Sequence, residues 1–168
     1  MKAASWRSYL AAVGAFFLSY GFALFWCAMV MHEVGHIFAA WVFGVPHHVV
    51  PWTDVLILRN PLAPTWIYNL VAFAGGVAQS LTALGFLWWV SALQRVLAEK
   101  GLFKEKVFFG LKLAFLTVAF TGFIAATWEG IFTHSYLESA DNSLLWDLIN
   151  VFCGLLAFRL LYRESRGH

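Results

Sequence analysis

The sequence predicts an all-α integral membrane protein with about four transmembrane helices. A short β-like hairpin at the membrane surface is expected between the first and second. Three observations predict this class. Hydrophobic residues make up 61% of the 168-residue chain and charged residues only 12%, against about 45–50% and about 25% in a soluble domain. The apolar residues gather into four runs, each near or above the roughly 20 residues that a helix needs to cross a bilayer. Most of the basic residues lie at the ends of those runs.

The runs cover residues 9–43, 65–94, 107–129 and 144–162. The last two fit a single crossing. The first two are too long for one straight crossing and too short for two crossings with a turn, so each is expected as one tilted or extended helix. Gly21, or the pair Gly75-Gly76, marks the place for a break. Between the first two runs, His48-Val49-Val50 and Val55-Leu56-Ile57-Leu58 have β character, and Pro46, Pro51, Pro61 and Pro64 bar a helix. A short hairpin near the membrane surface follows. Residues 1–168 read as a single transmembrane domain without repeats or low-complexity segments. Lys2 and Arg7 before the first run imitate a secretory signal, but no convincing cleavage site follows, so the run is expected to be retained as a signal anchor. Cys27 and Cys153 lie in different runs, form no motif and read as core filler.

The basic residues predict the topology. Lys2 and Arg7 precede the first run; Arg95, Lys100, Lys104 and Lys106 lie between the second and third; Arg159, Arg163 and Arg166 close the chain. If each run crosses once, these share one side, and both termini are expected in the cytosol, most simply at the cell membrane. Lys112 can snorkel to the same face. A net charge of +2 argues against nucleic acid as a partner.

Within the first run, residues 32–36 read His-Glu-Val-Gly-His. Four residues apart on a helix, His32 and His36 leave the same face, a spacing that suits two ligands of one zinc ion. Glu33 is then placed to act as general base toward a metal-activated water. Two imidazoles and a carboxylate at membrane depth are costly unless paired, which makes them a functional-site candidate.

Three elements, in order, resemble the site-2 protease family of membrane-embedded zinc metalloproteases, in particular its compact branch without a PDZ domain. The first is His32-Glu33-Val34-Gly35-His36. The second is Ala74-Gly75-Gly76-Val77-Ala78-Gln79, similar to the family's Ala-Gly-Pro-x-x-Asn, with Gly76 where Pro is usual and Gln79 where Asn is usual. The third is Ser139-Ala140-Asp141-Asn142-Ser143-Leu144, where the family carries an acidic zinc ligand before its last core helix. The resemblance implies one zinc per chain, hydrolysis of a peptide bond in or near a transmembrane segment of another membrane protein, and Asp141 as third ligand beside His32 and His36. Asp141, Asn142 and Ser143 are equally good N-caps for the last helix. Asp147, inside the last run, is the rival third ligand, and Glu129, at the end of the third run, is a further candidate. Gln79 is placed to hydrogen-bond substrate or a transition-state oxygen, or to join helices. His47 and His48 read as interfacial residues, and His134 as a group near the site. Two other readings are set beside the protease: a metallo-oxygenase, which would use more His than the six present, and a catalytically degenerate protein that binds and shelters a partner span.

Overall fold

The structure, a computed structural model, describes residues 6–50, 54–57, 64–100, 105–132 and 143–166. Among them, four helical rods are long and apolar enough to cross a membrane: Trp6–Val42, Thr65–Glu99, Glu105–Ile131 and Leu145–Ser165. The chain is a multi-pass membrane protein. Large apolar side chains such as Leu18, Trp41, Trp88 and Leu155 point outward, as expected where lipid rather than water is the surrounding solvent.

The first rod has three parts. Helix α1 (Trp6–Ala23) passes into a π-helical segment (Leu24–Met31), which passes into α2 (His32–Val42). The backbone N–H of His32 donates to the carbonyl of Cys27, five residues back. A π turn takes up one more residue than an α turn, so it rotates every later side chain about the axis. The wide segment ends where the His-Glu-Val-Gly-His motif begins. It therefore helps decide which way α2 aims its histidines. The irregularity falls just after Gly21, whereas α1 itself stays helical through that glycine.

Helix α2 stops at a glycine. Gly44 has φ 64°, a left-handed conformation that glycine adopts without a Cβ penalty. The N–H of Gly44 donates to Trp41 O at 3.3 Å, and that of Val45 to Ala40 O at 2.8 Å. These are the paired bonds of a Schellman motif. Val45 is buried with Ala40 in a small apolar cluster with Ala39 and Val71, and Pro46 prevents the helix from resuming. The chain then turns into strand β1 (His47–Val50), antiparallel to β2 (Asp54–Ile57), with Val49 opposite Val55 and His48 opposite Leu56. Both strands touch α2, so the expected hairpin is anchored to the helix that carries the motif.

Helix α3 (Thr65–Glu99) is unbroken. The break expected at Gly75-Gly76 is absent, because in lipid no water competes for the helical hydrogen bonds. The two glycines serve close packing instead. A β-carbon on Gly76 would collide with the Ala126 nitrogen and Gly122 oxygen of α4 (Glu105–Phe132). One turn on, Ser80 Oγ donates at 2.9 Å to Ala119 O and at 2.9 Å to its own helix at Gly76 O. Small residues and a shared hydroxyl thus bring α3 and α4 together, the usual route to tight helix pairs where the hydrophobic effect is lacking. Helix α4 is the centre of the molecule, packed against α1, α3 and α5 (Ser143–Arg166). Cys27, Ala83, Phe115 and Val118 form the main core, and Cys27 and Cys153 are both buried free thiols. Helix α5 is tied in by Asn150, whose Oδ1 accepts from Thr121 Oγ1 at 3.0 Å and Tyr20 Oη at 3.2 Å.

Candidate metal centre

Three helices meet around His32 and His36. Helix α2 supplies both imidazoles, one turn apart, with ring centroids 4.7 Å from each other. Helix α3 runs antiparallel beneath them and presents Val71, Gly75 and Gln79, a row at i, i+4 and i+8. Gly35 of α2 lies so close to Ala74 and Ala78 that a β-carbon on it would collide with both. A β-carbon on Gly75 would fall on His36 Nε2 and Cε1, and 2.9 Å from His32 Nε2. The α2–α3 crossing is therefore closed enough for both imidazoles to rest on the α3 backbone.

Helix α4 brings the carboxylate. Glu129 is 5% exposed. Its Oε1 lies 3.3 Å from His32 Nε2 and its Oε2 3.6 Å from His36 Nε2. Glu129 Oε2 is buried and takes part in no hydrogen bond. Among the described residues, His32, His36 and Glu129 form a group whose ligand atoms all lie within 4.8 Å of one another.

The hydrogen bonds behind the rings set their tautomers. His36 Nδ1 is 2.8 Å from Val71 O. A backbone carbonyl can only accept, so Nδ1 carries the proton and donates. His32 Nδ1 is 3.2 Å from Gln79 Oε1, and Gln79 Nε2 donates to Val118 O at 3.2 Å. Because Val118 O accepts only, the Gln79 amide is held with its nitrogen toward α4 and its oxygen toward His32. His32 Nδ1 donates too. In the neutral rings, both Nε2 atoms then offer lone pairs toward Glu129.

Lone pairs of two imidazoles and of a carboxylate repel one another unless a proton or a metal cation lies between them. The separations of 3.3 and 3.6 Å exceed the roughly 2.7–2.9 Å of a charge-assisted hydrogen bond. They match the edge of about 3.4 Å between ligands on a tetrahedral zinc, given metal–ligand bonds near 2.1 Å. The orphaned carboxylate oxygen, the spacing and the donor set all fit a zinc ion, and the Nδ1 bonds supply the outer support that metal-bound histidines commonly have.

Of the residues singled out from the sequence, His32 and His36 are brought together as the spacing requires. Glu33, between them in sequence, is partly buried on the same helix. Asp147 is not brought to the pair: it occupies an exposed position on α5, and that helix packs on α4 rather than on α2. Glu129, a further candidate in the sequence, is brought to the pair, while Asp141 and His134 lie outside the described residues. Gln79 is 3% exposed with both ends of its amide engaged, its oxygen with His32 and its nitrogen with Val118. His47 Nδ1 bonds locally to Val45 O at 3.1 Å, in keeping with a place at the surface end of α2. The carbonyls of Val71 and Val118 carry no side-chain signal and were invisible in sequence. Glu129 did carry one, as a lone carboxylate closing an apolar run. No protein family, curated protein or solved structure matches the chain.

Proposed function

We propose that the protein is an intramembrane zinc metalloendopeptidase acting on a transmembrane segment of another membrane protein. The observation that carries the reading is the convergence of His32 Nε2, His36 Nε2 and the Glu129 carboxylate, with each Nδ1 committed to an acceptor behind it. Two histidines and a glutamate are the donor set of thermolysin-type hydrolytic zinc sites. The same donors also serve iron oxygenases; Glu33, next to the first ligand, is what hydrolysis needs and oxygen activation does not.

When bound, zinc supplies Lewis acidity, acidifying water and polarising a carbonyl oxygen. His32, His36 and Glu129 hold it. Glu33 takes the proton from the attacking water and returns it to the leaving amine, so one carboxylate serves as base and then acid. The burial of the three ligands on packed helices keeps their geometry fixed.

A helical substrate shields its own peptide bonds and has to unwind before it can be cut. The hairpin of β1 and β2, touching α2, offers a strand edge to which an unwound segment can add. The bases at the ends of the rods support cytosolic termini, which puts the centre in the non-cytosolic half of the bilayer: Glu129 is three residues from the end of α4, about 5 Å along the axis. A reporter fused after His168 tests this, since a non-cytosolic signal reverses the orientation.

The test of the function is Glu33→Gln. Zinc content should stay at the wild-type level, while cleavage of transmembrane substrates in proteoliposomes should fall by about 10²–10⁴-fold, the range of a lost general base. Undiminished cleavage by this variant would refute the assigned role, and absence of cleavage by wild type across such substrates would leave a protein that shelters a partner span.

A further inference from the structure

We infer that Gln79 is a positioning residue that holds His32 in the tautomer a metal requires, and that α4 sets the position of Gln79 through the Val118 carbonyl. The inference rests on the metal reading above. It begins from a side chain that is 3% exposed and has no freedom left. Its oxygen meets His32 Nδ1 at 3.2 Å and its nitrogen meets Val118 O at 3.2 Å.

An amide can be turned over without changing its shape, and the neighbours decide which end is which. Here the turned arrangement places an N–H₂ group against His32 and an oxygen against the Val118 carbonyl, where two acceptors face each other. One orientation alone satisfies Val118. A fixed amide oxygen then demands a proton on His32 Nδ1, which frees Nε2 to face Glu129. Helix α4 thus acts twice. Val118 and Glu129 are 11 residues apart, about three turns, and so share one face of the helix. That face holds the carboxylate ligand directly and, through Gln79, the orientation of the first histidine. His36 Nδ1 has a backbone acceptor, Val71 O; at His32 Nδ1 a side chain, Gln79, takes that place.

Ser80 is the natural control. It is next to Gln79, fully buried, and donates to the neighbouring α4 carbonyl, Ala119 O, at 2.9 Å. It joins α3 to α4 as Gln79 does but does not touch His32. A purely structural role for Gln79 predicts that the two sites respond alike.

The experiment is Co²⁺ titration of detergent-purified, metal-free protein, followed by the visible absorption of the bound ion, for wild type, Gln79→Met, Gln79→Glu and Ser80→Ala. Gln79→Met keeps the volume and removes the acceptor; it should weaken Co²⁺ binding on the order of 10–100-fold, the usual effect of losing an outer partner of a ligating histidine, and alter the absorption bands. Gln79→Glu restores the acceptor toward His32 but sets its second oxygen against the Val118 carbonyl, so affinity should recover only in part, to a value between those of Gln79→Met and wild type. Ser80→Ala should bind as wild type does. Equal binding by Gln79→Met and wild type, or equal weakening by Gln79→Met and Ser80→Ala, overturns the positioning role alone. Wild type that takes up no Co²⁺ overturns the metal reading and this inference with it.

Discussion

A β-carbon on Gly75 would collide with the Nε2 and Cε1 atoms of His36. The α3 backbone is the floor on which the histidine pair rests, and the absence of a side chain at residue 75 is what makes room for it. Gly75→Ala should therefore act on the site more than on the fold. Overpacking of this kind costs about 1–3 kcal/mol, which the rings can relieve only by swinging away from Glu129. Zinc content should fall well below that of wild type. Gly85→Ala, on the same helix with nothing within 4 Å of the added carbon, should leave zinc content unchanged. Atomic absorption on the two purified variants makes the comparison; equal zinc in both would remove Gly75 from the site.

The hairpin gives a second prediction. If an unwound substrate adds to the β1–β2 edge, proline at Val55 or Ile57 should lower cleavage, because proline withdraws a backbone donor from a strand. Zinc content should not change, since neither residue belongs to the ligand group. Cleavage at the wild-type rate by both proline variants would take the hairpin out of substrate handling.

Asn150 provides a third. Its Oδ1 accepts from Tyr20 and Thr121, joining α5 to α1 and α4 by side-chain bonds in an otherwise apolar setting. Interhelical hydrogen bonds in membranes are worth about 0.6 kcal/mol on average and up to about 1.7, so Asn150→Leu should lower thermal stability in detergent modestly and leave zinc bound. Loss of zinc in this variant would mean that α5 takes part in the centre, contrary to the separation of Asp147 from the histidine pair.

The sequence made the membrane class legible because a bilayer imposes long apolar runs on any chain that crosses it. The end of the first run near residue 43 was legible as well, because Pro46 bars a helix; the left-handed cap at Gly44 emerged only in the structure. The histidine pair could be read because four residues make one helical turn. What could not be read depends on how helices cross. The π-helical segment Leu24–Met31 contains no proline and no glycine and has no local signature. Gly75-Gly76 looks like a hinge until α2 and α4 are packed on either side of it. Glu129 lies 93 residues after His36 (129 − 36) and reads in sequence as an interfacial residue closing an apolar run. Only the packing of α2 and α4 against the same stretch of α3 brings its carboxylate to the imidazoles. Asp141 lies outside the described residues, so its place along the chain stands as a resemblance alone.

The convergence of His32, His36 and Glu129 stands or falls, as a proposed site, on their binding one metal ion together. The most direct measurement is zinc per chain in detergent-purified protein, for wild type, His36→Ala, Glu129→Ala, Asp141→Ala and Asp147→Ala. About one zinc is expected in wild type, with loss in His36→Ala and Glu129→Ala and retention in both aspartate variants. Full zinc in Glu129→Ala with loss in Asp141→Ala would contradict the assignment of the third ligand, and wild type that holds no zinc after reconstitution would contradict the centre itself.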